Sequence, residues 1–316
     1  MSSFSGRSIV FYNVENLFDT KNDPRKNDDE FTPKGEKKWT KDRYETKLTR
    51  IEDAVNEFDI PPMLIGLVEI ENREVLEDLI KEGAFNNIDY GIAHFDSGDK
   101  RGIDCALLYD RSAFSIIESS KILVKLDYNR NFVTRDILYV IGEMDDGSIV
   151  HVFVNHWPSR REGKSETEHK RMAAAETLRE KVDTVLGDNP SANILILGDF
   201  NDHPDDKSME FVLRAKESGY EQDGDLINLL YDDNAEGKGT AVHRDEWAVL
   251  DQIIVSQAFY DGRSGIEIQG SDAGIIRRDK LLFKRRDGFE KPNATYGGRK
   301  YFGGHSDHLP VYITLK

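Results

Sequence analysis

Short, unbroken apolar runs recur along the chain, and four of them stop abruptly at a polar residue. They are SIVFYNV (Ser8 to Val14), MLIGLVEI (Met63 to Ile70), the run within IVHVFVNHWPSR that ends at Val154, and Ile194 to Leu197 within NILILGDFNDHP. Runs of this length without a polar alternation predict strands covered on both faces. Tyr90 to Phe95, Asp104 to Tyr109, Ile116 to Leu126, Ile137 to Met144, Val249 to Ser256 and a final strand after GGHSDHLP read as further strands. Asp145, Asp146 and Gly147 make a hairpin turn between two of them. Helical periodicity appears at Tyr44, Leu48, Ile51, Val55 and Phe58, and again over Glu166 to Leu186, where Met172, Ala175, Leu178, Val182 and Val185 share a face. Asn72 to Glu82 and Lys207 to Lys216 read as shorter helices. The segment Asp19 to Lys38 has no apolar period and reads as an exposed excursion, and Leu226 to Asp233 gives no clear pattern.

Strands interleaved with helices from end to end predict an α/β fold. A chain of 316 residues with 38% hydrophobic content can bury a large core, and a single domain over residues 1–316 is expected. The formal charge of -16 argues against a protein that coats nucleic acid through a basic surface, while leaving room for an enzyme that handles phosphates locally. Cys105 is the one cysteine, so no internal disulfide forms. No apolar stretch is long enough to span a bilayer, and the N-terminus lacks a basic region followed by an apolar one. The expectation is a cytoplasmic monomer without stable membrane association, or an exported protein if a leader has been removed.

The strand ends carry the candidate chemistry. In an α/β sheet the loops beyond the carboxyl ends of strands are where ligands bind. Asn13 ends the first run, and Glu69 lies near the end of the second, where a buried charge needs an ion-pair partner or a metal. His156 follows the third and precedes Arg160 and Arg161, which favour an anionic substrate. Asp199 and Asn201 follow the fourth. A carboxylate and a carboxamide at that spacing suit a divalent cation, a water to be deprotonated or a phosphate oxygen, and they also suit an ordinary turn. Asp202 reads as a turn residue. Asp251 lies inside VLDQIIVS and needs a partner that a loop histidine would supply, and Asp307 with His308 stand at the entry to the last strand. Between Ala273 and Lys300, nine basic residues face three acidic ones, which reads either as a solvated loop or as a basic rim over the site.

Taken together, YNVENLF, GLVEIEN, RGIDCALLYD, VNHWPSR, LGDFND, LDQIIVS and SDHLPV resemble, in this order, the endonuclease/exonuclease/phosphatase superfamily. That superfamily includes deoxyribonuclease I-like nucleases, AP endonucleases, bacterial sphingomyelinases and inositol polyphosphate 5-phosphatases. NVENLFD and NHWPSR are closest to a bacterial branch of it. The resemblance implies a four-layer α/β sandwich of two packed mixed sheets flanked by helices. It implies a hydrolase dependent on Mg²⁺ or Mn²⁺ that breaks a phosphoester by in-line attack of water. By the same resemblance Glu69 is the principal metal ligand, with Asn13 and Asp307 beside it. Asp199 activates the water and Asn201 holds it, while His156 and His308, the latter oriented by Asp251, contact the phosphate. Asp104 is expected to orient His156. Arg135 is expected to contact phosphate, with a salt bridge to Asp136 as the alternative. The substrate class implied is nucleic acid first, cleaved by a nuclease or other phosphodiesterase, and otherwise a small, inositol or lipid phosphate.

Overall fold

The computed structural model describes residues 7–57, 61–126, 129, 131–263, 265, 268 and 273–315. In chain order the strands of the two large sheets are β1 (Arg7–Leu17), β2 (Leu64–Ile70), β3 (Tyr90–His94), β4 (Asp104–Asp110), β5 (Phe114–Ile122), β6 (Ile137–Met144), β7 (Ile149–His156), β8 (Asn193–Asp199), β9 (Ala215–Lys216), β10 (Leu226–Asn228), then β13 (Asp251–Ser256), β14 (Ala273–Ile275) and β19 (Val311–Leu315). The intervening numbers belong to three small hairpins: β11 (Ala241–His243) with β12 (Glu246–Ala248), β15 (Leu282–Lys284) with β16 (Glu290–Pro292), and β17 (Tyr296–Gly297) with β18 (Lys300–Tyr301). The main helices are α1 (Lys41–Val55), α2 (Arg73–Leu79) and α3 (Lys164–Asp188).

One sheet has six strands in the order β14-β19-β1-β2-β4-β3, and the other has seven in the order β5-β6-β7-β8-β13-β10-β9. Each is built around one parallel pair made by a strand, a crossover helix and a second strand: β1, α1, β2 in the first and β7, α3, β8 in the second. Alternation within the runs explains the layers. Ile9 and Phe11 join Leu195 and Leu197 in the core between the sheets. Val10 and Tyr12 face Tyr44, Leu48, Ile51 and Val55 of α1, and Ile194 and Ile196 face Leu178, Val182 and Val185 of α3. Helix, sheet, sheet and helix form the α/β sandwich expected from the sequence.

Several elements depart from their predicted bounds. Lys207 to Lys216 is not a helix throughout: a π-helical turn covers Ser208–Leu213 and ends at Arg214, whose φ is +62°. The strand predicted to reach Leu126 ends at Ile122. The Asp19 to Lys38 segment is less exposed than its composition implied. Phe31 is buried and stacks on Phe18 at 4.3 Å between ring centroids, so one aromatic anchors a polar loop. Phe58, expected on the face of α1, lies outside the described residues.

Candidate active site

The two helix-crossover parallel pairs, β1 with β2 and β7 with β8, end at the same place. β1 and β2 deliver Asn13 and Glu69, and β7 and β8 deliver His156 and Asp199, which are register partners. Gly198 lets these last two strands close, since a Cβ there would lie 2.8 Å from the Asn155 Cβ. Backbone irregularity aims the remaining side chains. The register of β2 against β4 shifts between Val68 and Ile70, making Glu69 the extra residue of a bulge with φ of +66°. Glu15, Asn16 and Asn201 also have positive φ. For a residue with a side chain that conformation costs about 1–2 kcal/mol, and such strain collects at functional sites.

Asn13, Glu69, His156, Asp199, Asn201, Asp307 and His308 line one cleft of about 530 Å³, together with Arg101, Arg135, Arg160 and Arg161. A larger groove of about 900 Å³ along α3 contains none of the expected site residues. Asp199 is at the centre of the cleft's hydrogen bonding. Its Oδ1 accepts from the Asn201 backbone N–H at 2.9 Å, and its Oδ2 accepts from Asn13 Nδ2 at 3.0 Å. His156 Nε2 is 3.6 Å from Asp199 Oδ2 and 3.9 Å from Glu69 Oε1. His308 Nδ1 donates to Asp251 Oδ2 at 2.6 Å, as expected for a buried aspartate that needs a partner. Ser306 fixes the loop carrying that histidine: its hydroxyl donates to the Asn13 carbonyl at 2.7 Å and accepts from the His308 N–H.

Burial and charge sort these groups by protonation. Burial pushes the Asp199 carboxyl up to about 7 against the opposing pull of His308. His308 is also penalised by burial, but the charges of Asp251 and then Asp199 outweigh it and hold the imidazole well above its usual value. Burial, with Arg135 and Arg101 adding to it, holds His156 well below, so it is neutral. The cleft therefore combines a carboxyl that ionises near neutrality, a cationic imidazole and a neutral one, which suits acid–base chemistry on a phosphate ester.

The donor set also fits a hard divalent cation. Glu69 Oε2 accepts from the Asn16 N–H at 2.9 Å, while Oε1 faces the cleft, flanked by Asn13 and the exposed Asp307. One or two carboxylates plus water are enough for Mg²⁺. Asp199, Asp251 and His308 also bring ligand atoms within 4.8 Å of one another, but His308 Nδ1 is engaged by Asp251.

Three expectations need correction. Asp104 does not orient His156: it accepts from the Ser97 N–H at 3.0 Å, it does not line the cleft, and His156 Nδ1 has no partner among the described residues. Arg135 does stand at the cleft wall, but its guanidinium donates to the carbonyls of His156 and Trp157 and pairs with Asp99 at 3.4 Å, while Asp136 pairs with Lys121. Arg160 is similarly engaged, by the Asn201 carbonyl, Asp202 at 3.1 Å and Asp206 at 2.9 Å. Both arginines shape the site rather than extend free donors into it.

The basic stretch is no rim either. None of its nine cations lines the cleft, and Arg277, Arg278, Lys280, Lys284, Arg285 and Arg299 pair with Glu290, Glu57, Asp53, Asp245, Asp287 and Glu36. Asp202 is more than a turn residue, being 2% exposed, ion-paired with Arg171 at 2.7 Å and accepting from the Ser208 hydroxyl at 2.6 Å. Arg101 and His243 reach the cleft without having been singled out as site residues. For Arg101 the available signal was its place at the head of the RGIDCALLYD motif, and for His243 the sequence held none.

A four-layer sandwich with acids, amides and imidazoles at the ends of its central strands defines a protein of the deoxyribonuclease I-like class. Residues 8–316 match the Endonuclease/Exonuclease/phosphatase family, and the chain belongs to that family, whose named activities are all hydrolyses of phosphoesters. None of the curated proteins matches the sequence. Among solved structures, the chain is similar to D. rerio TDP2 humanized by 14 mutations, with a TM-score of 0.59, 14% identity and 98% of each chain covered. It is also similar to the human Nocturnin catalytic domain with bound sulfate, at TM-score 0.56, 14% identity and coverage of 98% of this chain and 94% of that one. A mannosyl-6-phosphatase of Bacteroides thetaiotaomicron gives TM-score 0.57, 17% identity and coverage of 98% and 99%. At these identities the likeness concerns the fold.

Proposed function

We propose that the protein is a divalent-metal-dependent phosphoester hydrolase acting on a compact phosphorylated substrate by in-line attack of water. The observation that carries this reading is the Asp199 carboxyl, raised to about 7 and set between the neutral His156 and the cationic His308. Ionised Asp199 takes the proton of the attacking water, and Asn201 holds that water in place. His308, oriented by Asp251, donates to the phosphoryl oxygen where negative charge develops, and His156 donates from Nε2 on the same side. Glu69, with Asn13 and Asp307, would hold a magnesium or manganese ion, which supplies Lewis-acid polarisation of the phosphate when bound.

The substrate class follows from the surroundings. A cleft of about 530 Å³ is of the size that takes a small molecule. The nuclease expectation drew on the full set of motifs and on the Ala273 to Lys300 stretch, and the cations of that stretch lie outside the cleft. The test is a panel of nucleotides, sugar phosphates, inositol phosphates, phospholipids and labelled DNA and RNA, with Mg²⁺, Mn²⁺ or EDTA. Metal-dependent turnover of a soluble small ester, absent with EDTA and in D199N, is the expected result. Strand cleavage without small-ester turnover would replace the compact substrate by nucleic acid, and inertness toward every member would overturn the hydrolase reading.

A further inference from the structure

A second set of metal-binding side chains lies beside the cleft, and the proposed chemistry makes no use of it. His94 ends β3, Asp96 follows in the loop, and Asp104 opens β4; the two strands pair antiparallel, with His94 opposite Ala106. This turn of chain brings one ligand atom from each of the three residues within 4.8 Å of the others. No hydrogen bond or ion pair within 4.0 Å joins the imidazole to either carboxylate, so the three groups are close without closing on one another. His308 and Asp251, by contrast, close to 2.6 Å.

Two observations favour a cation at this position. His94 Nε2 is inaccessible to solvent and has no hydrogen-bond partner. Asp104 is 2% exposed and has no lysine or arginine bonded to it: the nearby Lys26 ammonium is spent on the carbonyls of Ser97 and Asp99. A neutral imidazole offers its lone pair to a metal, and a bound cation would compensate the buried carboxylate.

We propose that His94, Asp96 and Asp104 bind a divalent first-row transition ion, zinc or manganese. One imidazole nitrogen with two carboxylates suits such ions better than Mg²⁺ or Ca²⁺, which favour all-oxygen surroundings. Bonds of about 2.0–2.2 Å in a tetrahedral site place ligand atoms roughly 3.3–3.6 Å apart, so binding draws the trio inward by up to about 1.5 Å. The ion braces the loop between His94 and Asp104. That loop carries Asp99, the partner of Arg135, and Arg101, which lines the cleft. The site is therefore structural, and it positions cleft residues from outside the cleft.

Calorimetric titration of chelator-stripped protein with Zn²⁺ and with Mn²⁺ tests this. E69Q, which disables the proposed catalytic metal position, is expected to keep one binding site. Adding H94Q or D96N to E69Q should then weaken that site by about tenfold or more. Zinc should raise the melting temperature of E69Q and raise that of E69Q/D96N less. Asp96 is exposed, so D96N keeps the test decisive if H94Q fails to fold. Failure of E69Q to bind any ion, or equal affinities in E69Q and both double variants, would overturn the site. Because the readout is binding and not turnover, its failure is separable from failure of the hydrolase reading.

Discussion

Asp251 and His308 form a 2.6 Å hydrogen bond through Nδ1, which leaves the opposite nitrogen of the ring 3.9 Å from Asp199 Oδ2. The fully buried Asp251 thus both orients the imidazole and sustains its charge against the penalty of burial. In D251N the orientation weakens and the charge is lost at lower pH. The expected result is a fall in kcat of roughly two to four orders of magnitude, with the alkaline limb of the pH–rate profile moved to lower pH. A profile that keeps its alkaline limb in D251N would remove His308 from the proposed chemistry.

The acid limb belongs to Asp199 on the same reading. Its carboxyl is held up to about 7, first by burial, so activity should rise as pH passes upward through that region and the general base becomes ionised. In D199N, kcat should fall by at least about a hundredfold at every pH, with a circular dichroism spectrum like that of wild type.

Four arginines line the cleft, but they are not equivalent. Arg135 and Arg160 are committed to carbonyls and carboxylates of the site's own loops. Arg101 comes only within 3.9 Å of Glu69, and Arg161 is exposed. R101A and R161A are expected to raise KM severalfold at an unchanged melting temperature. R135A removes buried charged hydrogen bonds and should cost about 1–3 kcal/mol of stability, read from denaturant midpoints.

The distinction between free and committed arginines marks the limit of what the sequence made legible. Strands such as Ile194 to Leu197 are readable because both their faces are covered, which forces an unbroken apolar run, and the polar residues that end those runs converge at one cleft. Pairing between distant residues leaves no such local mark. The acids that neutralise the basic stretch include Glu36, Asp53, Glu57 and Asp245, remote in sequence from most of their partners. The bulge at Glu69 is likewise a property of two strands in register, and Asp104 faces its own loop instead of His156.

Asp202 shows how such a hidden pairing can matter to the site next to it. It is the carboxylate partner of Arg171, whose side chain is fully buried on α3, and it also holds Arg160, which grips the Asn201 carbonyl. Removing one member of a buried ion pair strands the other, at a cost of about 3–5 kcal/mol. D202A should therefore unfold at markedly lower denaturant and lose activity with it, whereas the exposed neighbour variant D205A should do neither.

The dependence of stability on pH should run opposite to that of activity. Glu71 is raised from 4.5 to about 8, chiefly by burial, and Glu15 and Asp199 rise to about 7 for the same leading reason. A carboxyl whose folded value lies above its unfolded one favours the fold while protonated. Its contribution is complete below the unfolded value and is lost as pH rises through the folded one. Metal-free protein should consequently lose stability as pH rises from about 7 to about 8.5, while below about 6.5 the opposite trend sets in, because His94, His151, His156 and His305, whose values burial lowers, protonate first in the unfolded chain. E71Q keeps a neutral group at all pH values and should flatten the decline. Divalent metal should flatten it further through Asp199, since a nearby cation favours its ionised form. Melting curves across this range, with EDTA and with Mg²⁺, check each step, and a melting temperature that climbs with pH above about 7 in EDTA would contradict the assignment of these raised carboxyls.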